Sequence, residues 1–403
     1  MNFINEMIGL FSNVINITWQ QVIMWVIGGV LIYLAIKKDM EPTLLLPMGF
    51  GAILVNLPIS GAVDRYYQDG VWIKNLAEGK ALFEAGTAGV TYEPGVIDEL
   101  FNMGIANELF PLILFIGIGA MIDFGPLLSN PKLMIFGAAA QFGIFFTLSL
   151  ASFLGFDLKD AASIAIIGAA DGPTSIFVAN YFGSNYMGAI MVAAYSYMAL
   201  VPVVQPPVIK LLTTKNERMI RMPYKPATVT KMTRILFPIV ITAITGIFSP
   251  KSVALIGFLM FGNLIRECGV LDSLSETAQK VLANLITIFL GITIATKMQA
   301  ELFLTWQTLM IIGLGLVAFI FDTAGGVMVA KVINIFLPKD KKLNPMIGAA
   351  GISAFPMSAR VVHKMGLKED NQNFLLMHSI GVNVSGQIAS VIAGGLILTM
   401  IGG

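Results

Sequence analysis

The stretch IIGAADGPTSIFVA (166–179) decides how this chain is built. An acid, Asp171, stands in an apolar run and is followed at once by Gly172–Pro173, a pair that interrupts a helix. A weaker copy, MIGAAGISAFPMSA (346–359), recurs in the second half, with Asn344 just before it and Arg360 just after it. The wider segments 161–182 and 344–360 are crowded with Gly, Ser, Thr and Pro, so each reads as a helix–break–helix hairpin.

The surroundings of both hairpins are apolar enough for a bilayer. Of the 403 residues, 56% are hydrophobic and 12% charged, with a mean hydropathy of +0.80. A soluble domain carries about 25% charged residues, so lipid is the expected solvent. A membrane span takes about 20 mostly apolar residues. Ten segments qualify, near 20–37, 43–59, 104–122, 132–153, 187–212, 233–249, 252–266, 281–298, 307–333 and 374–401. The expected fold class is an all-α polytopic membrane protein. Broken backbone at membrane depth survives only when buried in protein or lining a wet cavity, which places both hairpins in the interior.

Charge placement supports this count. The segment 213–234 holds six Lys/Arg and one acid, and Lys37–Lys38, Lys132 and Lys339–Lys342 mark further basic loops. The long loop 60–103 carries seven acids against three basic residues. If the hairpins do not cross, all basic loops share one face, which the positive-inside rule makes cytoplasmic. The net charge of +1 gives no reason to expect a nucleic-acid partner. One cysteine, Cys268, excludes an internal disulfide, and two histidines leave little for a His-based metal site. The start of the chain lacks the basic n-region of a cleaved signal and reads as an interfacial helix.

The halves echo each other in order. LFIGIGAMIDFGPLLSNPKLMIFG (114–137) aligns with IFLGITIATKMQAELFLTWQTLMIIG (288–313), and LLLPMGFGAILVN (44–56) echoes ALIGFLMFGNLIR (254–266). Five spans per half invert the second copy, the pattern of secondary transporters whose site lies where the interruptions meet. The expected organisation is an interfacial helix (1–18), a first repeat (19–212) with hairpin 161–182, a basic linker (213–232), and a second repeat (233–403) with hairpin 344–360.

Chemistry is expected at the breaks. An intramembrane acid is costly and by default functional, so Asp171, with the hydroxyls of Thr174 and Ser175, is the first candidate for a hard cation such as sodium. Arg360 could meet a carboxylate or snorkel to headgroups. Tyr195 and Tyr197 lie inside one span, and Asn383, Ser385 and Gln387 inside another. Asp322 is the other acid in an apolar run, either an ion ligand or the partner of a lysine such as Lys331; Asp123 reads as a cap or a headgroup contact at a span end. The chain has no GxxxxGK[ST], dinucleotide, HExxH or GxSxG motif, and Lys297 lacks the EAMKM context of a biotinylated lysine.

With these residues in view, the chain resembles the beta subunits of sodium-translocating, biotin-dependent decarboxylases of oxaloacetate, methylmalonyl-CoA, malonate and glutaconyl-CoA. The resemblance runs over nearly the whole chain, through EPTLLLPMGFGAILVNLP, GAMIDFGPLLSNP, GAADGPTSIF, AAYSYMALVPVVQPP, NPMIGAAGISAFPMSARV and QNFLLMHSIGVNVSGQIAS. It implies a multi-pass inner-membrane subunit that decarboxylates carboxybiotin, consumes a proton and exports Na+. It further implies partners: a biotin carrier subunit or domain, a carboxyltransferase alpha subunit and a small membrane-anchored subunit, within a complex where this chain is a homo-oligomer. Carried over by position, it implies Asp171, Tyr197 and Arg360 as catalytic residues and Arg360 and Ser353 as carboxybiotin-binding ones. Asp171, Tyr197, Asn344, Gly348, Ser353 and Asn383 become the sodium ligands, with Asn344 and Ser353 contributing to a second sodium site. The alternative is a stand-alone Na+/H+ or Na+/carboxylate carrier of the same architecture.

Overall fold

The computed structural model describes residues 17–38, 42–73, 76–224, 228–338 and 341–402. The expected interfacial helix at 1–18 lies, but for its last two residues, outside them. In chain order, α1 (Trp19–Lys38) and α2 (Pro42–Val55) lead into the acidic segment. There β1 (Arg65–Gln68) pairs antiparallel with β2 (Val71–Trp72) and β3 (Val90–Glu93), in the register Tyr67–Trp72 and Tyr66–Tyr92. Helix α3 (Val96–Gly104) bends by 63° into α4 (Leu109–Met121). Next come α5 (Met134–Ala140), α6 (Phe142–Phe153), α7 (Leu158–Ala165), α8 (Gly172–Tyr181) and α9 (Met187–Leu212). The second half holds α10 (Lys231–Phe248), α11 (Val253–Glu267), α12 (Ala283–Ile294), α13 (Trp306–Phe336), α14 (Met357–Glu369) and α15 (Leu376–Ile401).

The chain is an all-α polytopic membrane protein with one small sheet. Among the described residues seven helices are long and apolar enough to cross a bilayer, and the bent α3–α4 pair makes an eighth candidate. The segments expected at 43–59 and 252–266 form helices of 14 and 15 residues. At about 1.5 Å per residue these reach only about 70–75% of a ~30 Å hydrocarbon layer, so neither crosses alone as a straight helix.

Two compact units form. One takes in the described residues up to Phe110 with Ile286–Leu309, the other Pro111–Leu285 with the described residues from Met310 onward. In the first, α1 and α2 cross at Gly28 and Gly49: a Cβ on Gly28 would lie 2.6 Å from the Gly49 carbonyl oxygen. Asn56 there donates to the Ala52 and Met298 carbonyls and accepts from the Ala300 amide.

In the second unit residues 160–179 and 344–354 are buried throughout, as irregular backbone at membrane depth requires. Glycines again bring backbones together: a Cβ on Gly326 would sit 2.0 Å from the Gly348 oxygen, and one on Gly386 2.1 Å from that of Gly351. Asp123 accepts the Gly125 amide at 2.8 Å and pairs with Arg234 at 3.1 Å. The linker is tied down as well. Arg218 pairs with Glu369 at 2.8 Å, Arg221 with Asp370 at 2.5 Å, and Lys331 with Glu217 at 3.3 Å.

Gly28→Ala should lower the protein's thermal stability by about 1–3 kcal/mol through overpacking. The neighbouring Gly29→Ala, whose Cβ meets nothing within 4 Å, should be neutral in the same thermal-shift assay. The linker clasp has a pH signature. The Arg221 hydrogen bonds hold Asp370 below the usual carboxylate range. Partial burial pushes Glu217 up, but hydrogen bonds from Thr214 and Lys331 outweigh it and leave it lowered too. Both groups are lowered on folding, so their contribution is present above the unfolded values of about 4 and fades as pH falls through the folded ones. A spin label at position 215 (Lys215→Cys, with Cys268→Ser) should therefore keep its mobility from pH 7 to 5 and gain it only below about pH 4.

Candidate functional site

The site grows from the first break. Helix α7 tightens into a 3-10 turn at Ile166–Ala169, and Ala170 takes a left-handed conformation (φ 52°). A side chain is strained there, so the turn is held by its surroundings. Asp171 is then extended and N-caps α8, whose first turn carries Pro173, a residue with no amide to satisfy. Sequence thus dictates that the acid faces the open end of a helix.

Asp171 is 3% exposed and collects four donors. Its Oδ1 accepts the Thr174 amide at 3.3 Å. Its Oδ2 accepts the Thr174 hydroxyl at 2.8 Å, the Ser390 hydroxyl at 2.9 Å and the Gln387 amide at 3.2 Å. The Ser175 hydroxyl donates to the Asp171 carbonyl at 2.8 Å. Gln387 and Ser390 lie one turn apart on α15, hence on one face.

The second break meets the first. The Ser353 amide and hydroxyl both donate to the Ala169 carbonyl, at 3.0 and 2.8 Å, and that hydroxyl also stands beside the Asp171 carboxylate. Asn383 donates to the Ile352 carbonyl at 2.7 Å, Gln205 to Ala349 at 2.7 Å and Ser358 to Ala350 at 3.2 Å. Side chains from α9, α14 and α15 thereby satisfy the carbonyls that the broken segment exposes. Among the described residues, three oxygens in this region are buried without a partner: the Tyr195 hydroxyl and the amide oxygens of Gln205 and Asn383.

Of the expected ligands, the structure therefore brings Asp171, Ser353 and Asn383 together. It does not bring Tyr197 there. The Tyr197 hydroxyl donates to the Ile312 carbonyl, and its ring stacks near Phe319, 6.5 Å between centroids. Two residues on a helix are about 200° apart, so Tyr195 and Tyr197 cannot face one spot. Tyr195 takes it: a Cβ on Gly172 would lie 2.3 Å from its ring. Asn344 and Ser353 do not share a second site either. They flank the seven-residue 3-10 stretch Pro345–Gly351, which at about 2.0 Å per residue keeps them some 14 Å apart. Asn344 is instead occupied by the linker, donating to the Arg218 and Ile220 carbonyls at 2.9 Å. Gly348 packs on Gly326, and Arg360 is exposed on α14. Lys331 bonds the Leu212 carbonyl and Glu217, not Asp322. Ser390 was missed by reading the sequence. Its spacing of three from Gln387 and seven from Asn383 on one helix was the available signal.

The arrangement is a carboxylate ringed by neutral hydroxyl and amide groups, with no basic side chain among its hydrogen-bond partners. A single negative charge among oxygen donors suits a monovalent hard cation, and the three unpartnered oxygens lie in the same region.

A family model described as Na+-transporting oxaloacetate decarboxylase beta subunit matches residues 20–401. The methylmalonyl-CoA decarboxylase subunit beta of Propionigenium modestum is 47% identical, over 94% of this chain and 95% of its own. The glutaconyl-CoA decarboxylase subunit beta of Acidaminococcus fermentans is 47% identical over 97% and 96%. The probable oxaloacetate decarboxylase beta chain of Vibrio cholerae is 44% identical over 98% of both chains.

Ser390→Ala removes one donor from Asp171 and should raise half-saturating sodium about tenfold, the worth of one hydrogen bond to a charged group. Ser385→Ala, whose hydroxyl serves the Val382 and Leu133 carbonyls, should leave it unchanged in the same binding assay.

Proposed function

We propose the following mechanism for a chain that belongs to the beta-subunit family of Na+-transporting decarboxylases. The chain is the membrane subunit of such a decarboxylase. It couples loss of a carboxylate, delivered on biotin by a partner carrier subunit, to sodium export and proton consumption. The observation that carries this reading is the meeting of two broken hairpins at Asp171, with its shell of Thr174, Ser353, Gln387 and Ser390.

Asp171, ionised, holds sodium with Ser353 and the free oxygen of Asn383. Bound carboxybiotin supplies a carboxylate that leaves as carbon dioxide at the cost of a proton. Arg360, exposed at the start of α14, meets that carboxylate from the cytoplasmic side. Tyr195, against Gly172, is better placed than Tyr197 to pass a proton at the break; Tyr197 acts through its bond to Ile312 on α13. A proton reaching Asp171 cancels the charge that holds sodium, which links the chemistry to release.

The two halves are read as inverted repeats, because each carries one buried segment that passes through a 3-10 stretch, breaks and resumes as helix. Movement of the hairpin pair against the surrounding helices then exposes the site alternately. The inner membrane is the site of action, since the carrier and the carboxyltransferase alpha subunit work in the cytoplasm. A small membrane-anchored subunit and further copies of this chain complete the assembly. The carboxyltransferase, not this chain, selects the acid.

Asp171→Asn should abolish sodium-stimulated decarboxylation, by more than about a hundredfold, while still copurifying with a biotinylated partner on a streptavidin blot. Sodium pumping retained by that variant would sink the assignment. Sodium uptake by the chain alone in liposomes, with no biotin protein bound, would make it a stand-alone carrier.

A further inference from the structure

The Asp171 shell leaves a second buried carboxylate unused. Asp322 lies midway along α13 and is fully buried. Its Oδ1 accepts the Ile144 amide at 3.2 Å. That amide is shared with the Gln141 carbonyl, also at 3.2 Å, because the Pro131–Phe153 span breaks at Gln141 and restarts as α6, where the Gly143 amide adds a second backbone donor to the carboxylate. Oδ2 has no hydrogen-bond partner. It leans on the first hairpin, where a Cβ on Gly168 would lie 2.6 Å away. Gly143 permits the approach from the other side, since a Cβ there would be 2.6 Å from Oδ1.

Other oxygens nearby in the fold are also unpaired. Gln141 Oε1 at the break, Thr147 Oγ1 on α6 and Thr323 Oγ1 next to Asp322 are buried without a partner. Thr147 is three residues beyond Ile144, hence on the same face of α6. Among the described residues no basic side chain pairs with the carboxylate: Lys331, on the same helix, is committed to the Leu212 carbonyl and Glu217. A bare carboxylate oxygen at membrane depth is costly, and one negative charge among neutral oxygens balances a monovalent cation, not a divalent one.

We propose that Asp322 is a second sodium site of the transport path, binding through Oδ2 together with neutral oxygens of α6 and α13. The proposal rests on the transport reading of Asp171. The contact at Gly168 is three residues before Asp171, so occupancy at either acid bears on the same hairpin segment.

The test is 22Na+ binding by scintillation proximity to the full chain in lipid nanodiscs. It counts ions per chain for the wild type, Asp322→Asn, Asp171→Asn and the double variant. Asparagine keeps the shape and an oxygen for the Ile144 amide. Asp322→Asn is expected to lose one sodium per chain and retain the other, and the double variant to lose both. An Asp322→Asn chain that binds as many ions with the same half-saturation overturns the proposal. So does one that loses only sodium-driven proton release, which would make Asp322 a proton carrier. If instead Asp171→Asn keeps the wild-type count, the failure is that of the Asp171 reading, and the Asp322 count still stands or falls by itself. Should Asp322→Asn not fold, Gly168→Ala, which sets a methyl against Oδ2, should raise the half-saturating sodium of one site by roughly tenfold. An unchanged half-saturation in that variant overturns the proposal equally.

Discussion

One carbonyl, that of Ala169, takes both the amide and the hydroxyl of Ser353, and the rest of the interior is arranged around that pair of bonds. A helix that stops inside a membrane leaves backbone groups no water can satisfy. Here the two interruptions satisfy each other, and Asn383, Gln205 and Ser358 take up the carbonyls that remain. Asp171 therefore stands at a junction already rich in donors. The same requirement that makes the fold possible also makes a polar pocket at membrane depth.

Close approach is the second requirement. Short hydroxyl and amide side chains reach a neighbouring backbone only when helices lie nearly in contact, and glycines at 326, 348, 351 and 386 supply that closeness around the hairpins. The linker then fixes the second hairpin from outside. Asn344, at its start, is held by two linker carbonyls, while Arg218 and Arg221 tie the linker to the far end of α14. The second hairpin is thus anchored at its first residue and, through α14, beyond its last.

Much of this was legible in the residues. Gly172–Pro173 beside Asp171 announces a break, and the crowding of small residues at 344–360 announces its counterpart. What escaped depends on geometry that spacing alone does not reveal. Tyr195 and Tyr197 are separated by half a turn, so only one can face Gly172, and no local pattern says which. Asn344 and Ser353 look close in sequence, but a 3-10 stretch is longer per residue than an α-helix and carries them apart. The helices at 42–55 and 253–267 are apolar enough for spans, yet they end after 14 and 15 residues, too short to cross alone. The sheet at 65–93 hides in an acidic loop because its strands are only two to four residues long.

The glycine contacts also set the direction in which this protein can vary. In a soluble core the large side chains resist replacement, and small residues are where drift begins. Here glycines such as those at 28, 326 and 386 are the most constrained, because a Cβ there would stand only 2.0–2.6 Å from a neighbouring backbone oxygen. A pattern of bare backbone, rather than of bulky side chains, is what a change at these positions would disturb.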